Sequence, residues 1–188
     1  FVNFFFGGLR HLGEYITDGR LEPMLATPRN PALLVALSRS SAVALGDLVM
    51  GVVGIVLLGF AYSPGFALAS TAATLISAVG FSALFIFAGS LAFFIPRVAN
   101  VGHLVTEITL SLTVYPTGKM FGGVGRAFLL MSPAGIAAVL PLEAVENPGL
   151  RSFSVAAGAA ALFFWVALLV FKVCLKRYRS VSTLGPRS

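Results

Sequence analysis

Three long apolar stretches constrain this chain more than any other feature of its sequence. Residues 42–62 are interrupted only by Asp47, residues 66–95 carry no charge, and residues 153–174 are uncharged up to Lys172. A bilayer core about 30 Å thick needs about 20 helical residues to cross it. Because lipid offers no hydrogen bonds to the backbone, such stretches must be helical. The sequence therefore predicts an all-α, polytopic membrane protein in which these stretches are transmembrane helices.

The composition supports a chain that is surrounded by lipid. Of its 188 residues, 57% are hydrophobic and 11% are charged, whereas soluble domains carry about 25% charged residues. The net charge of +6 comes from 13 basic and 7 acidic residues, which flank the apolar stretches rather than cluster. This distribution argues against a nucleic-acid partner. A single cysteine, Cys174, excludes an internal disulfide and a cysteine-based zinc site, and we expect no metal.

Basic residues indicate the orientation in the membrane. They occur in the tail and in the segment before residue 42, which holds Arg10, Arg20, Arg29 and Arg39, and such residues favour the cytoplasmic side. We therefore predict a cytoplasmic elbow at residues 7–41, an outward-facing turn at 63–65 and a basic cytoplasmic tail at 175–188. Residues 1–6 are predicted to be the end of a truncated transmembrane helix, so that the sequence is the C-terminal part of a longer polypeptide.

Two paths are open for the chain between the second and third apolar stretches. Residues 98–115 carry apolar side chains at helical spacing opposite a polar stripe, which is typical of an amphipathic transmembrane helix or of a helix on the membrane surface. Residues 120–142 are interrupted by Ser-Pro-Ala-Gly at 132–135. This piece either spans the membrane with a kink or enters and returns as a re-entrant hairpin.

The elbow contains signals for short helices. Thr17 or Asp18 is predicted to cap a helix that Pro28 stops, and Pro31 is predicted to open the next helix. We expect this elbow to bury no core and to expose Arg20, Glu22 and Arg29. It is either a solvated connector or a docking site for a cytoplasmic partner.

A few polar residues are predicted to lie at or near membrane depth, where a charge costs about 2.5–3.5 kcal/mol on insertion scales. Asp47 lies near the cytoplasmic end of its helix and is expected to reach the surface or to pair with Arg39. His103 and Glu107 lie one turn apart, either as a satisfied pair or on a proton or substrate pathway. Gly80 and Gly89 predict close approach of neighbouring helices.

The sequence lacks the motifs of several enzyme classes. Gly118-Lys119 is followed by Met120 and has no phosphate loop around it, so ATP hydrolysis through such a loop is not expected on this chain. The catalytic signatures of metalloproteases and serine hydrolases are absent too. We predict a chain without enzymatic activity and without a cofactor of its own.

Two stretches carry a resemblance to a known family. GRLEPMLATP at residues 19–28 precedes a helix that begins with proline and then Gly46-Asp47. Tyr115-Pro116 is followed by FGGVGRAFLLMSPAGIAAVLP at residues 121–141. In this order, the motifs resemble the permease subunits of type-two ATP-binding-cassette (ABC) transporters, and more closely their six-span, exporter-like subgroup.

The resemblance implies an architecture for most of the chain. It implies a six-helix fold from which the first span and most of the second are missing, with residues 98–115 as the fifth span. Residues 116–152 would form an extracytoplasmic re-entrant hairpin and loop that contains Arg126 and Pro133. The elbow would hold a coupling helix that docks in a groove of a separate ATPase subunit, through Asp18, Gly19, Arg20, Leu21, Glu22, Met24, Leu25 and Arg29.

The resemblance also implies a function. Two permease subunits, identical or paired with a sister protein, would form a pathway in a bacterial inner membrane and export a hydrophobic or amphipathic compound. ATP and Mg²⁺ would be bound by the ATPase partner. The competing hypothesis is an ion-coupled secondary transporter that uses Glu107 and Asp47. A membrane-embedded enzyme is disfavoured by the missing catalytic motifs.

Overall fold

A computed structural model describes residues 7–20, 22–25, 31–38, 42–93, 107, 111, 123, 127 and 130–176. Every regular element in these ranges is a helix, which confirms the predicted all-α fold class. Four short helices come first: α1 (Gly7–Arg10), α2 (Leu12–Thr17), α3 (Glu22–Leu25) and α4 (Pro31–Leu37). The later ones are α5 (Ala42–Ala61), α6 (Pro64–Ser90), α7 (Leu140–Glu146) and α8 (Leu150–Lys176).

Three of these helices, α5, α6 and α8, are long and apolar enough to cross a membrane. Helix α6 begins at Pro64, two residues earlier than the sequence predicts, because Ser63 caps it. The Ser63 hydroxyl accepts a hydrogen bond from the Phe66 amide at 3.2 Å, and proline suits the first helical position. At its other end α6 tightens into a 3₁₀ turn at Leu91–Phe93.

Helices α6 and α8 run in the same direction. The rings of Phe87 and Phe163 lie 6.3 Å apart, and those of Phe93 and Phe171 lie 5.9 Å apart. The second contact lies further along the chain than the first in both helices, so α6 and α8 are packed in parallel. The end of α8 that carries Lys172 and Lys176 consequently lies at the same end of the bundle as Phe93. We call this end the basic end.

The elbow contributes to the core, so the expectation that it buries none is wrong. Leu12, Ile16 and Val35 are buried in one cluster with the basic ends of α6 and α8. A side-chain carbon added to Gly89 would lie 2.8 Å from the Cβ of Leu12, so the elbow contacts α6 directly. The reason is that Leu9, Leu12 and Ile16 follow helical spacing and form an apolar face that needs cover.

A second close approach brings the later part of the chain against the middle of α6. The chain bends at Ser132, whose hydroxyl accepts a hydrogen bond from the Gly135 amide at 3.1 Å. A π-helical segment at Gly135–Val139 leads into α7. A Cβ on Gly80 would lie 2.7 Å from the Cα of Ala137. The predicted close approaches at Gly80 and Gly89 are thus confirmed. Most of residues 98–129 lies outside the described residues.

Helix α5 packs differently from the other two long helices. It contacts α6 beside their connecting turn, where Gly59 faces Ala67 and the rings of Tyr62 and Phe66 lie 5.2 Å apart. Of residues 44–61, only 6% are buried within the chain. Almost the whole apolar surface of α5 is therefore left for lipid or for another protein segment.

The contact at Gly80 generates the first prediction. Gly80→Ala should destabilise the fold by about 1–3 kcal/mol, because the added carbon meets backbone atoms that cannot rotate away. Gly51→Ala is the matched control, since nothing lies within 4 Å of a Cβ at that position. A lowered midpoint of thermal unfolding for Gly80→Ala alone is expected. Cys174, buried and the sole cysteine of the 188 residues, can report unfolding through a thiol-reactive dye. Equal midpoints for the two variants would contradict the contact.

Candidate functional site

The elbow turns back at a short exposed segment, Asp18 to Arg20. Helix α2 ends at Thr17, and the Asp18 amide donates a hydrogen bond to the Glu14 carbonyl at 2.9 Å. Gly19 has a φ of 71°, the left-handed conformation that typically follows a helix C-terminus. Asp18 is therefore the C-terminal cap of α2. The prediction that Thr17 or Asp18 caps the start of the next helix is wrong, because the glycine that follows terminates α2 instead.

The tip of this turn presents two opposite charges. Arg20 Nε lies 3.7 Å from Asp18 Oδ2, and the two side chains are 62% and 52% exposed. An ion pair this exposed contributes little to stability, because water screens it and both side chains lose conformational freedom. Neither charge is therefore needed to stabilise the fold. Both are therefore accessible to a partner that approaches the basic end.

The rest of the predicted docking segment follows the turn. Pro23 is exposed in helix α3, whereas Met24 is half-buried and packs against the core cluster of the elbow. Leu21 and Arg29 lie outside the described residues, and so do the side chains of Glu22 and Leu25. Of the predicted set, the structure thus brings Asp18, Gly19 and Arg20 together at one exposed tip and turns Met24 partly inward.

The two legs of the elbow are joined to each other. The Ser38 hydroxyl, just after α4, lies 3.1 Å from the Tyr15 hydroxyl on α2 and 2.6 Å from the Val35 carbonyl. Gly8 on α1 faces that same carbonyl so closely that no side chain fits there. The incoming leg, which contains α1, therefore contacts the backbone of the outgoing leg, which contains α4. The described parts of the elbow are therefore held to each other and do not form a loose connector.

One ion pair at the elbow was not predicted from the sequence. Arg10 on α1 donates to Glu107 Oε1 at 2.8 Å, and their side chains are 33% and 59% exposed. The predicted neighbour of Glu107, His103, lies outside the described residues. The two partners are 97 residues apart in the chain, so no local pattern could have matched them.

Other predicted polar residues lie apart from this site. Asp47 is exposed on α5, and within the described ranges its side chain has no ion pair. Its suggested partner Arg39 lies outside those ranges. Pro133, predicted for the outer hairpin, is half-buried at the bend after Ser132. Arg126 falls among the undescribed residues. Roles for Asp47 and Pro133 stay predictions.

The geometry defines a class of protein. Three apolar helices of membrane-spanning length, two of them parallel, share a basic end onto which a crossed elbow is packed. An arrangement of this kind is a multi-pass helical membrane protein with an exposed tip on one side.

Comparison with known families names that class more closely. Residues 1–182 match the family described as ABC-2 family transporter protein, and the chain belongs to it. The family predicted from the motifs around residues 19–28 and 115–141 is thereby confirmed, and the chain is a permease of an ABC transporter. No match is found among curated proteins or among solved structures.

The ion pair of the elbow generates the second prediction. Arg10→Gln and Glu107→Gln should each destabilise the folded chain slightly, and together by less than the sum of the two. We expect a coupling free energy of about 0.2–1 kcal/mol, which is typical of partly exposed pairs. Thermal unfolding of the single and double variants measures it, with raised salt as a further check. Strictly additive effects would show that the pair does not form.

Proposed function

We propose that this chain is the translocation subunit of an ATP-driven exporter in a bacterial inner membrane. It would pair with a second permease subunit, identical or related, and with a separate ATPase that holds ATP and Mg²⁺. The cargo would be a hydrophobic or amphipathic compound. Membership of the family supports the pairing with an ATPase, and the exporter-like resemblance of the motifs supports the direction of transport.

One observation carries the proposal: the exposed tip of the elbow is rigidly attached to the spanning helices. The turn at Asp18 to Arg20 follows α2 directly, and Leu12 of α2 packs against Gly89 of α6. Tight packing transmits displacement because cores rearrange between discrete states and do not deform continuously. An ATPase that moves the tip would therefore move the basic end of α6, and with it the cluster that includes Phe171 of α8.

The competing hypothesis of an ion-coupled carrier finds less support. A coupling site needs an acid that titrates within a pathway, and Glu107 is paired with Arg10 of the elbow at 2.8 Å. Asp47 lies on an exposed face of α5, away from the packed interface of α6 and α8.

The docking role of the tip generates the third prediction. Arg20→Glu should weaken association with the ATPase about fivefold, because an exposed charge contact is worth roughly 1 kcal/mol. The measurement is the amount of ATPase that co-purifies with the tagged permease at graded salt. Arg151→Glu is the matched control, since Arg151 is an exposed arginine at the opposite end of the bundle.

Two outcomes would count against the docking role of this tip. Normal co-purification of Arg20→Glu would remove Arg20 from the interface. An equal loss with Arg151→Glu would indicate a general effect of net charge. Protection of the Cys174 thiol in both variants establishes that the fold is intact.

The energy source generates the fourth prediction. Inverted vesicles that contain the intact permease and its ATPase should take up an amphipathic dye, ethidium, when ATP and Mg²⁺ are supplied. Uptake should stop when the ATPase is inactivated and persist when the proton gradient is collapsed. Uptake driven by a proton gradient in the absence of ATP, and lost in Glu107→Gln, would instead establish the ion-coupled mechanism.

A further inference from the structure

An apolar cavity of about 630 Å³ opens beside α6, between the elbow and α8. Leu9 and Ala36 line it from the elbow, Ala78 and Ser82 from α6, and Ala161 and Leu168 from α8. Among the described lining residues Ser82 alone is polar, and its hydroxyl donates to the Ala78 carbonyl at 2.8 Å. No described lining group is therefore left to bind a polar ligand. The volume lies within the range of about 300–1,000 Å³ that is typical of small-molecule sites.

The cavity extends along α6, mostly on the basic-end side of the bilayer midplane. Its α6 lining extends from Leu75 to Ile86, which is about 16 Å at 1.5 Å per residue. Helix α6 with its 3₁₀ turn has 30 residues, so it is about 45 Å long and exceeds the hydrocarbon core by about 15 Å. If both ends protrude equally, the cavity begins about 5 Å beyond the bilayer midplane, as seen from the basic end, and ends about 5 Å short of the hydrocarbon boundary at the basic end.

A cation is in register with the cavity at that surface. Ala161, Phe164 and Leu168 line the cavity at helical spacing, and Lys172 follows Leu168 by about one turn of α8. Lys172 is exposed and lies about 6 Å from the end of α8. A lysine at this depth reaches the level of the lipid headgroups.

We propose that the cavity binds one anionic phospholipid of the cytoplasmic leaflet, with an acyl chain along α6 and the phosphate at Lys172. An acyl chain matches the direction, length and lining of the cavity, and the phosphate supplies the complementary charge. A further transmembrane helix fits less well. It would have to pass the elbow helices α1 and α4, which line the cavity. Binding of this lipid is a separate proposal from docking of the ATPase and from the choice of transported compound.

Retention of lipid by the intact permease complex tests this assignment. The complex is placed in nanodiscs of equal phosphatidylglycerol and phosphatidylcholine, released into mild detergent and weighed by native mass spectrometry. One phosphatidylglycerol per permease subunit is expected to remain. Ala161→Phe fills the cavity and should lower its occupancy about tenfold. Ala157→Phe is the matched control, one turn away, exposed and outside the cavity lining.

The headgroup contact has its own pair of variants. Lys172→Gln should reduce the preference for phosphatidylglycerol over phosphatidylcholine about fivefold, whereas Arg151→Gln at the other end should leave it unchanged. Equal retention of both lipids by the unaltered protein would overturn the proposal, and so would retention that Ala161→Phe does not affect.

A photo-crosslinker identifies the occupant without filling the cavity. With p-benzoylphenylalanine in place of Phe164, a lining residue, irradiation in the same nanodiscs should attach phosphatidylglycerol to the permease. A crosslink to a peptide, from this chain or from another subunit, would show that protein occupies the cavity and would overturn the proposal.

Discussion

The structure depends on the close packing of small residues along α6. Lipid tails are as apolar as the helix surface, so burying apolar surface between helices gains no hydrophobic free energy. Helices in lipid therefore associate through van der Waals contact and hydrogen bonds. Gly80 and Gly89 admit Ala137 and Leu12 to the helix surface. Ser82 and Ser90 are buried without cost because their hydroxyls bond to carbonyls of their own helix. The elbow, the π-helical segment and α8 all use this surface.

The position of the elbow follows from that packing. A connector held only by its ends would move independently of the membrane helices. Here Leu12 and Ile16 bury an apolar face against the basic end of α6, while the charges of Asp18 and Arg20 stay in solvent. One short segment thus combines an apolar side that couples to the bundle and a polar tip that a partner can reach. This division is what a permease needs if the ATPase lies outside the membrane.

The three long apolar helices and the family could be predicted from the sequence, but the packing of the elbow could not. Long apolar stretches are specified locally, since their composition alone decides whether they enter lipid. The turn at Gly19 was missed because Asp18 is an equally good residue at either end of a helix, and only the left-handed glycine decides between them. The burial of Leu12 against Gly89 joins residues 77 positions apart and depends on how three helices assemble. The pairing of Arg10 with Glu107 is of the same kind.

The contrast between α5 and α6 bears on how the subunit works. Helix α6 is packed on several sides, whereas α5 contacts it near the turn at Ser63 and, within the described residues, buries only Ala44 at its other end. A helix that buries so little surface can tilt at little cost in packing. The elbow enters α5 from its other end, through α4, whose Val35 is buried with Leu12. Displacement of the elbow would therefore act on α6 by direct contact and on α5 through the chain that joins α4 to its first turn. The two helices of one hairpin would respond differently to the same push, which is a physical basis for opening a path between them.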